Sequence, residues 1–181
     1  MEIWDLYNEN REKTGKTMVR GESVPDGYYR MVVHVVIFND RGEMLIQKRQ
    51  PFKSGWSGMW DITVGGSAVA GDNSKSAAHR ELLEEIGLDV SFDNIRPTLT
   101  LHIPDGFCDI YIIEKNVDTS ELKLQPEEVA DAKWATLDEI LKMIDDGTFI
   151  TYHRSFIELL FHMRKCPDTH TGEDMTRPTK G

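Results

Sequence analysis

The run Tyr29–Phe38, YRMVVHVVIF, constrains the fold more than any other segment, because it is apolar on both of its alternating faces. A strand of that kind must be covered on both sides, so it belongs at the centre of a sheet with a layer on each face. Asn39-Asp40-Arg41-Gly42 has turn chemistry, and Glu43–Lys48 (EMLIQK) is expected to return as its hairpin partner. Trp60–Val64 predicts a short strand leading into Gly65-Gly66, and Arg96–Ile103 with Phe107–Val117 predicts a second hairpin turned at Asp105-Gly106. Asn73 as N-cap and Gly87 as left-handed stop bound a helix over residues 74–86. Thr136 and Glu139 form a capping box for a helix over Leu137–Asp146, closed by Gly147. Phe156, Leu159, Leu160 and Met163 recur at helical spacing and predict a last amphipathic helix. Strands outnumber helices and helices fall between them, which gives an α/β architecture: a mixed sheet with helices on both faces.

At 181 residues the chain suits one domain with a sizeable core. We expect an N-terminal arm over residues 1–28, with a short strand or two, packed on a main unit over residues 29–164. The tail over residues 165–181 has little apolar content beyond Pro167 and is expected to be mobile or loosely docked.

The chemistry concentrates in residues 65–88, GGSAVAGDNSKSAAHRELLEEIGL. On the expected helix, Glu81, Glu84 and Glu85 fall within one arc of roughly 100°, with the small Ser74, Ala77 and Ala78 upstream leaving room for a ligand. Glu81 repels both Glu84 and Glu85 by roughly 0.2–0.5 kcal/mol per pair, and carboxylates near a helix C-terminus oppose its dipole. Arg80 can pair with Glu84 but cannot neutralise three charges. A bound cation resolves the conflict. Hard oxygen ligands favour Mg²⁺ or Mn²⁺, and Mg²⁺ commonly joins to substrate phosphates, so the cluster points to phosphate-ester chemistry. The alternative is a solvated face of a surface helix.

Gly66, an acid six residues on, and then Arg80-Glu81-Leu82-x-Glu84-Glu85-x-Gly87-Leu88 resemble the Nudix box, and the resemblance covers Gly66 to Leu88. It implies a Nudix-type α/β/α sandwich and a Mg²⁺-dependent hydrolase, Mn²⁺ being a second option, that cleaves a small-molecule diphosphate. Arg80, Glu81, Glu84 and Glu85 are the catalytic candidates. The metal candidates are the three glutamates, the backbone of Gly66, and a carboxylate from a later loop, for which Glu128 of Glu127-Glu128 is the first choice. One position departs: Asp72 stands where the family has Glu, which puts any role of that side chain in loop geometry in question.

Gln47-x-Arg49-x-x-x-Lys53 also resembles the stretch with which isopentenyl diphosphate isomerases, Nudix relatives, grip a diphosphate. Arg49 and Lys53 are therefore the expected phosphate contacts. The isomerase reaction itself is not expected. Its catalytic cysteine falls at Gly65, its metal-holding histidines near Ser23, Arg30 and Ser67, and its metal glutamates near Pro104 and Gly106. Conversely, those enzymes degrade box glutamates that this chain keeps at Glu81 and Glu84. A third reading, a non-catalytic Nudix-like module that binds nucleotide or protein, is disfavoured because a pure binder has no reason to tolerate the repulsion.

A net charge of −10 and a pI near 5.0 argue against a protein that holds nucleic acid through clustered Lys and Arg. Cys108 and Cys166 lack CxxC spacing, so neither a disulfide framework nor a zinc site is indicated, and Cys108 is expected in a buried strand. No apolar stretch approaches a membrane span, and the acidic N-terminus is no signal peptide, so a cytoplasmic protein without membrane contact is expected; a homodimer stays open. His34 is expected as a packed strand residue, and the aromatics Phe52, Trp56, Trp60 and Phe107 as core rather than substrate contacts.

Overall fold

The computed structural model describes residues 2–170. The expectation for residues 171–181 of the tail lies outside them. Seven strands make one mixed sheet: β3 (Arg30–Phe38), β4 (Met44–Arg49), β5 (Trp60–Asp61), β6 (Val64–Ser67), β7 (Leu99–Ile103), β8 (Gly106–Glu114) and β9 (Val129–Ala135). The order is β5-β4-β3-β8-β7, with β6 also on β3 and β9 also on β4. As its double-sided apolar sequence requires, β3 is central and runs parallel to β8 from Arg30↔Gly106 to Phe38↔Glu114.

The other edge of β3 departs from the expected hairpin. Only Phe38↔Met44 pairs it with β4, while β6 occupies Val32–Val35. The fully buried Thr63 fills the split: its Oγ1 accepts from the Ile37 amide at 2.9 Å and donates to the Leu45 carbonyl at 2.5 Å. Backbone groups that a ladder would have paired are thereby satisfied. The single strand expected over Trp60–Val64 consequently becomes two, β5 on β4 and β6 on β3, with both glycines inside β6. Along its length β4 pairs instead with β9, which the apolar patterning did not single out.

One face of the sheet, with Val33, Val35 and Tyr111, packs on α1 (Ser74–Ile86) through Ala77, Ala78, Leu82 and Ile86. The other face, with Val36, Phe38, Ile46 and Ile110, packs on α2 (Leu137–Asp145) through Ile140 and Leu141 and on α3 (Arg154–Met163) through Ile157 and Leu160. The buried stripe of α3 is Ile157, Leu160 and Met163; Leu159, expected inside, is 40% exposed. Cys108 is buried in β8, and burial pushes its thiol pKa up to about 12. No helix among the described residues is long and apolar enough to cross a membrane.

The arm forms its own antiparallel pair, β1 (Ile3–Tyr7) and β2 (Lys13–Val19), around Trp4, Leu6 and Met18. It is fastened to the sheet and to the loop before α1. Tyr7 and Tyr29 exchange both backbone hydrogen bonds at 2.8 and 2.9 Å, and the Ala70 amide donates to the Ile3 carbonyl at 2.7 Å. Arg11 pairs at 2.7 Å with the buried Asp109, and the Arg30 guanidinium lies 5.2 Å from the Trp4 ring centre.

Gly106 tests the parallel ladder. A Cβ there would sit 2.2 Å from the Arg30 carbonyl oxygen, a backbone atom locked in the register of β3 and β8. Gly106→Ala is therefore expected to destabilise the protein by about 3 kcal/mol, the upper end of the usual cost of overpacking. Chemical denaturation measures it, and an unchanged midpoint would contradict the register.

Candidate active site

The helix that carries the acidic cluster is bounded locally. The Asn73 side chain accepts from the Lys75 and Ser76 amides at 2.9 and 3.0 Å, and the Ser76 hydroxyl accepts from the Asn73 amide at 2.9 Å. Gly87 closes it with φ 73°, a left-handed conformation that glycine adopts without strain. Burial of Ala77, Ala78, Leu82 and Ile86 fixes the rotation of the helix. The two alanines thus make room for the sheet, not for a ligand as expected, and the Ser74 hydroxyl is bound to Tyr111 Oη at 2.7 Å.

With that rotation, Arg80, Glu81, Glu84 and Glu85 line one cavity of about 250 Å³ together with Gly65, Gly66 and Ser67 of β6. Arg49, at the end of β4, and Lys53, in the following loop, line it as well, with Gln125 and Glu128 from the loop before β9. All eight residues singled out above are therefore in one place. Two further lining residues, Glu2 and Arg20, come from the arm, where no local motif marks them.

Arg80 holds the near wall. Its Nε donates to Asp72 Oδ2 at 3.1 Å, its Nη2 to the Ser67 carbonyl at 3.1 Å, and its Nη1 to Glu81 at 3.0 Å and Glu84 at 3.1 Å. Burial works against its charge, but Glu81 and Asp72 outweigh that and hold it firmly protonated. The shorter Asp72 therefore still reaches the arginine, and it also accepts from Ser76 Oγ at 2.9 Å.

Glu85 is left without a cation at contact distance in the described structure: it is 6% exposed, and its nearest polar contact is Gln47 Nε2 at a long 3.4 Å. Burial raises its pKa well above the carboxylate range, and the charges of Glu81, Glu128 and Asp61 add to the shift. Burial also raises Glu81, against the opposing pull of Arg80. Glu84 is half exposed.

Across the cavity, Lys53 Nζ is 2.6 Å from Glu128 Oε1, so the expected phosphate contact and the expected metal ligand are paired with each other. Arg49 donates through Nε to the Gly55 carbonyl at 3.1 Å and stands 4.0 Å from Asp61 Oδ2. Asp61, which the sequence did not point to, accepts at Oδ1 from Tyr152 Oη and the Ile62 amide, both at 2.8 Å, and burial raises its pKa.

Among the described residues no three His, Cys, Asp or Glu side chains are gathered closely enough to hold a metal ion as they stand. Arg80 and Lys53 occupy Glu81, Glu84 and Glu128 of the cavity, and Glu85 keeps its charge poorly. Hard oxygen donors around a buried, under-compensated carboxylate nevertheless fit a divalent cation. Gly66 belongs to the fit, because a Cβ there would lie 2.2 Å from the Glu81 carboxylate.

The other single residues separate clearly. His34 lies in β3 with Nδ1 buried and unpartnered, and burial pushes its pKa down to about 4. Phe107 is core at 1% exposure, and Trp60 lies under the Lys133 ammonium at 4.7 Å. Phe52 and Trp56, expected in the core, are 69% and 50% exposed.

Comparison with known proteins agrees with this geometry. The NUDIX domain model matches residues 28–160. An uncharacterised Nudix hydrolase of Listeria monocytogenes is 45% identical over 170 residues, 94% of this chain and 99% of that protein. An isopentenyl-diphosphate Delta-isomerase of Pectobacterium atrosepticum is 29% identical over 138 residues, 75% of this chain and 76% of that one. A crystal structure from Deinococcus radiodurans superposes with a TM-score of 0.67 at 25% identity, covering 91% of this chain and 99% of that one. With its box lining the acidic cavity described above, the NUDIX model matching residues 28–160 and its Listeria relative matched over nearly its full length, the chain belongs to the Nudix hydrolase family.

Proposed function

We propose that this protein is a Mg²⁺-dependent diphosphohydrolase that cleaves a diphosphate linkage in a small nucleoside diphosphate derivative or a related small diphosphate. The observation that carries the reading is the polarity of the cavity: Glu81, Glu84, Glu85 and Glu128 share it with Arg49, Lys53 and Arg80. Acids that gather a cation and bases that hold phosphate oxygens are the two things a diphosphate needs at once.

In this reading the cation is held from among Glu81, Glu84 and Glu85, with Glu81 and Glu85 first, together with the Gly66 carbonyl and Glu128. When bound, Mg²⁺ supplies charge neutralisation at the phosphates and an acidified water. Arg49 and Lys53 hold the diphosphate, Lys53 leaving Glu128 to do so. The water oxygen bonds to phosphorus, the bridging phosphorus–oxygen bond breaks, and a helix carboxylate not engaged with the cation takes the water's proton. Arg80 keeps Glu81 and Glu84 aimed and the loop at Ser67 closed. The low-pKa His34 has no part in this.

Isomerisation is the less supported reading. A Cβ at Gly65 would come 2.7 Å from His34 Cδ2, so the histidine ring fills the space a cysteine there would need. The deciding experiment incubates the protein with Mg²⁺ and a panel of nucleoside diphosphate derivatives and isoprenoid diphosphates in H₂¹⁸O. Hydrolysis places ¹⁸O in one phosphate product and stops on chelation. Dimethylallyl diphosphate formed from isopentenyl diphosphate, without label, would overturn the assignment.

A further inference from the structure

The arm contributes a charged pair to the active cavity that neither the box nor the isomerase-like stretch accounts for. Arg20 Nη1 is 2.6 Å from Glu2 Oε2, the Arg20 amide donates to the Glu2 carbonyl at 3.0 Å, and both side chains line the same cavity as Arg49 and Lys53. The Arg20 side chain is 58% exposed, so little packing holds it against Glu2, and exposed ion pairs of this kind are weak. The backbone around them is fixed independently, through the Ala70 amide on the Ile3 carbonyl and the Gly71 amide on Asp5 Oδ2 at 2.8 Å. The guanidinium therefore has a hydrogen-bonded base and an exposed tip. Its charge is reinforced first by the Glu2 hydrogen bond, against a cost of burial, and then by the charges of Glu2, Glu128 and Glu81, all three of which line the same cavity.

We infer that Arg20 is a substrate-binding residue supplied by the arm, held by Glu2 when the cavity is empty and transferred to a phosphate oxygen of the diphosphate when it is filled. The arrangement parallels Lys53, whose partner Glu128 also lines the cavity. In both pairs a cation is parked on a carboxylate at the rim. A dianionic phosphate offers the arginine fork a better partner than a single solvated carboxylate does. This inference rests on the proposed diphosphate reading.

The two members of the pair make opposite predictions. If the pair only clamps the arm, Arg20→Ala and Glu2→Gln weaken the protein in the same direction. If Arg20 is borrowed by the ligand, Arg20→Ala weakens binding by about 10- to 100-fold, the loss typical of one charge-assisted hydrogen bond, whereas Glu2→Gln strengthens it. Removing Glu2 also removes a negative charge near the phosphates, so the double variant is needed: the gain from Glu2→Gln must vanish when Arg20 is absent. Arg20→Lys should recover part of the loss.

The measurement is calorimetric titration of the full chain with methylenediphosphonate and Mg²⁺, supported by KM and kcat on a hydrolysed diphosphate and by thermal melts of every variant. The expected pattern is a raised KM with kcat within a fewfold of wild type for Arg20→Ala, and a persisting melting transition. Unchanged affinity in Arg20→Ala, or equal weakening in Glu2→Gln, overturns the inference while leaving the diphosphate reading intact. Failure of the wild-type chain to bind methylenediphosphonate overturns both.

Discussion

Glu85→Gln is expected to lower kcat by about 10³-fold while leaving the fold intact or slightly more stable. The substitution keeps size and shape and removes the charge, so a residue that must ligate a cation or accept a proton loses its role. Stability should not fall, because in the metal-free protein this charge is a liability. Burial and the neighbouring Glu81, Glu128 and Asp61 push its pKa well up, and the Oε1 of the adjacent Gln47 is buried without a donor. An amide at position 85 brings a donor there. The sign in pH follows. A carboxyl whose native pKa is raised binds more protons folded than unfolded, so its contribution is intact below the unfolded value near 4.5 and is lost as pH climbs to the native one. Melts of the metal-free wild type should decline over that interval more steeply than melts of Glu85→Gln. Mg²⁺ should restore the wild type above it, because a cation binding only the native, ionised site stabilises by mass action. A variant with wild-type turnover would remove the box from the reaction.

The same residues show what a sequence can and cannot carry. The helix over 74–86 was legible because its signals are local: a cap at Asn73, a stop at Gly87 and a continuous run between them. β3 was legible because an apolar strand covered on both sides leaves few alternatives. What local signals do not encode is what lies opposite. The helical spacing put Ala77 and Ala78 beside the glutamates but could not tell a ligand from a sheet, and the sheet took them. The turn at Asn39–Gly42 promised a full hairpin, and one hydroxyl, Thr63, reached in from later in the chain to hold its strands apart. Lys53 and Glu128 were both marked by the family resemblance, yet their pairing spans a separation of 75 residues and no pattern announces it. Arg20, Glu2 and Asp61 were missed for a related reason. Each is an ordinary charged residue until the fold brings the arm and the box to one cavity and sets Asp61 of β5 beside Arg49 at its wall.

Gly66→Ala is the complementary large effect, and its signature is a split between activity and stability. The new Cβ would lie 2.2 Å from Cδ and Oε1 of Glu81 and 2.5 Å from Oε2, closer than van der Waals contact permits. The clash is with the far end of a flexible side chain, so relief comes from a rotation of Glu81 and not from movement of β6, which is held by the Val33↔Gly66 register on β3. The stability cost should accordingly stay near the lower end of the ~1–3 kcal/mol usual for overpacking. The functional cost should be large. Glu81 is 13% exposed at its side chain and tied to Arg80 at 3.0 Å, so rotating it away drags on the contacts that Arg80 makes to Asp72 and to the Ser67 carbonyl. A displacement of about 1 Å at a reacting centre already costs on the order of 10²-fold, and kcat of Gly66→Ala is expected to fall by about that much or more. Gly106→Ala is the opposite case, a backbone clash remote from the carboxylates that should cost stability before activity. Parallel melts and Mg²⁺-saturated kinetics on the two variants check the contrast: a Gly66→Ala protein with wild-type kcat would mean that the position of Glu81 against β6 does not matter to the chemistry.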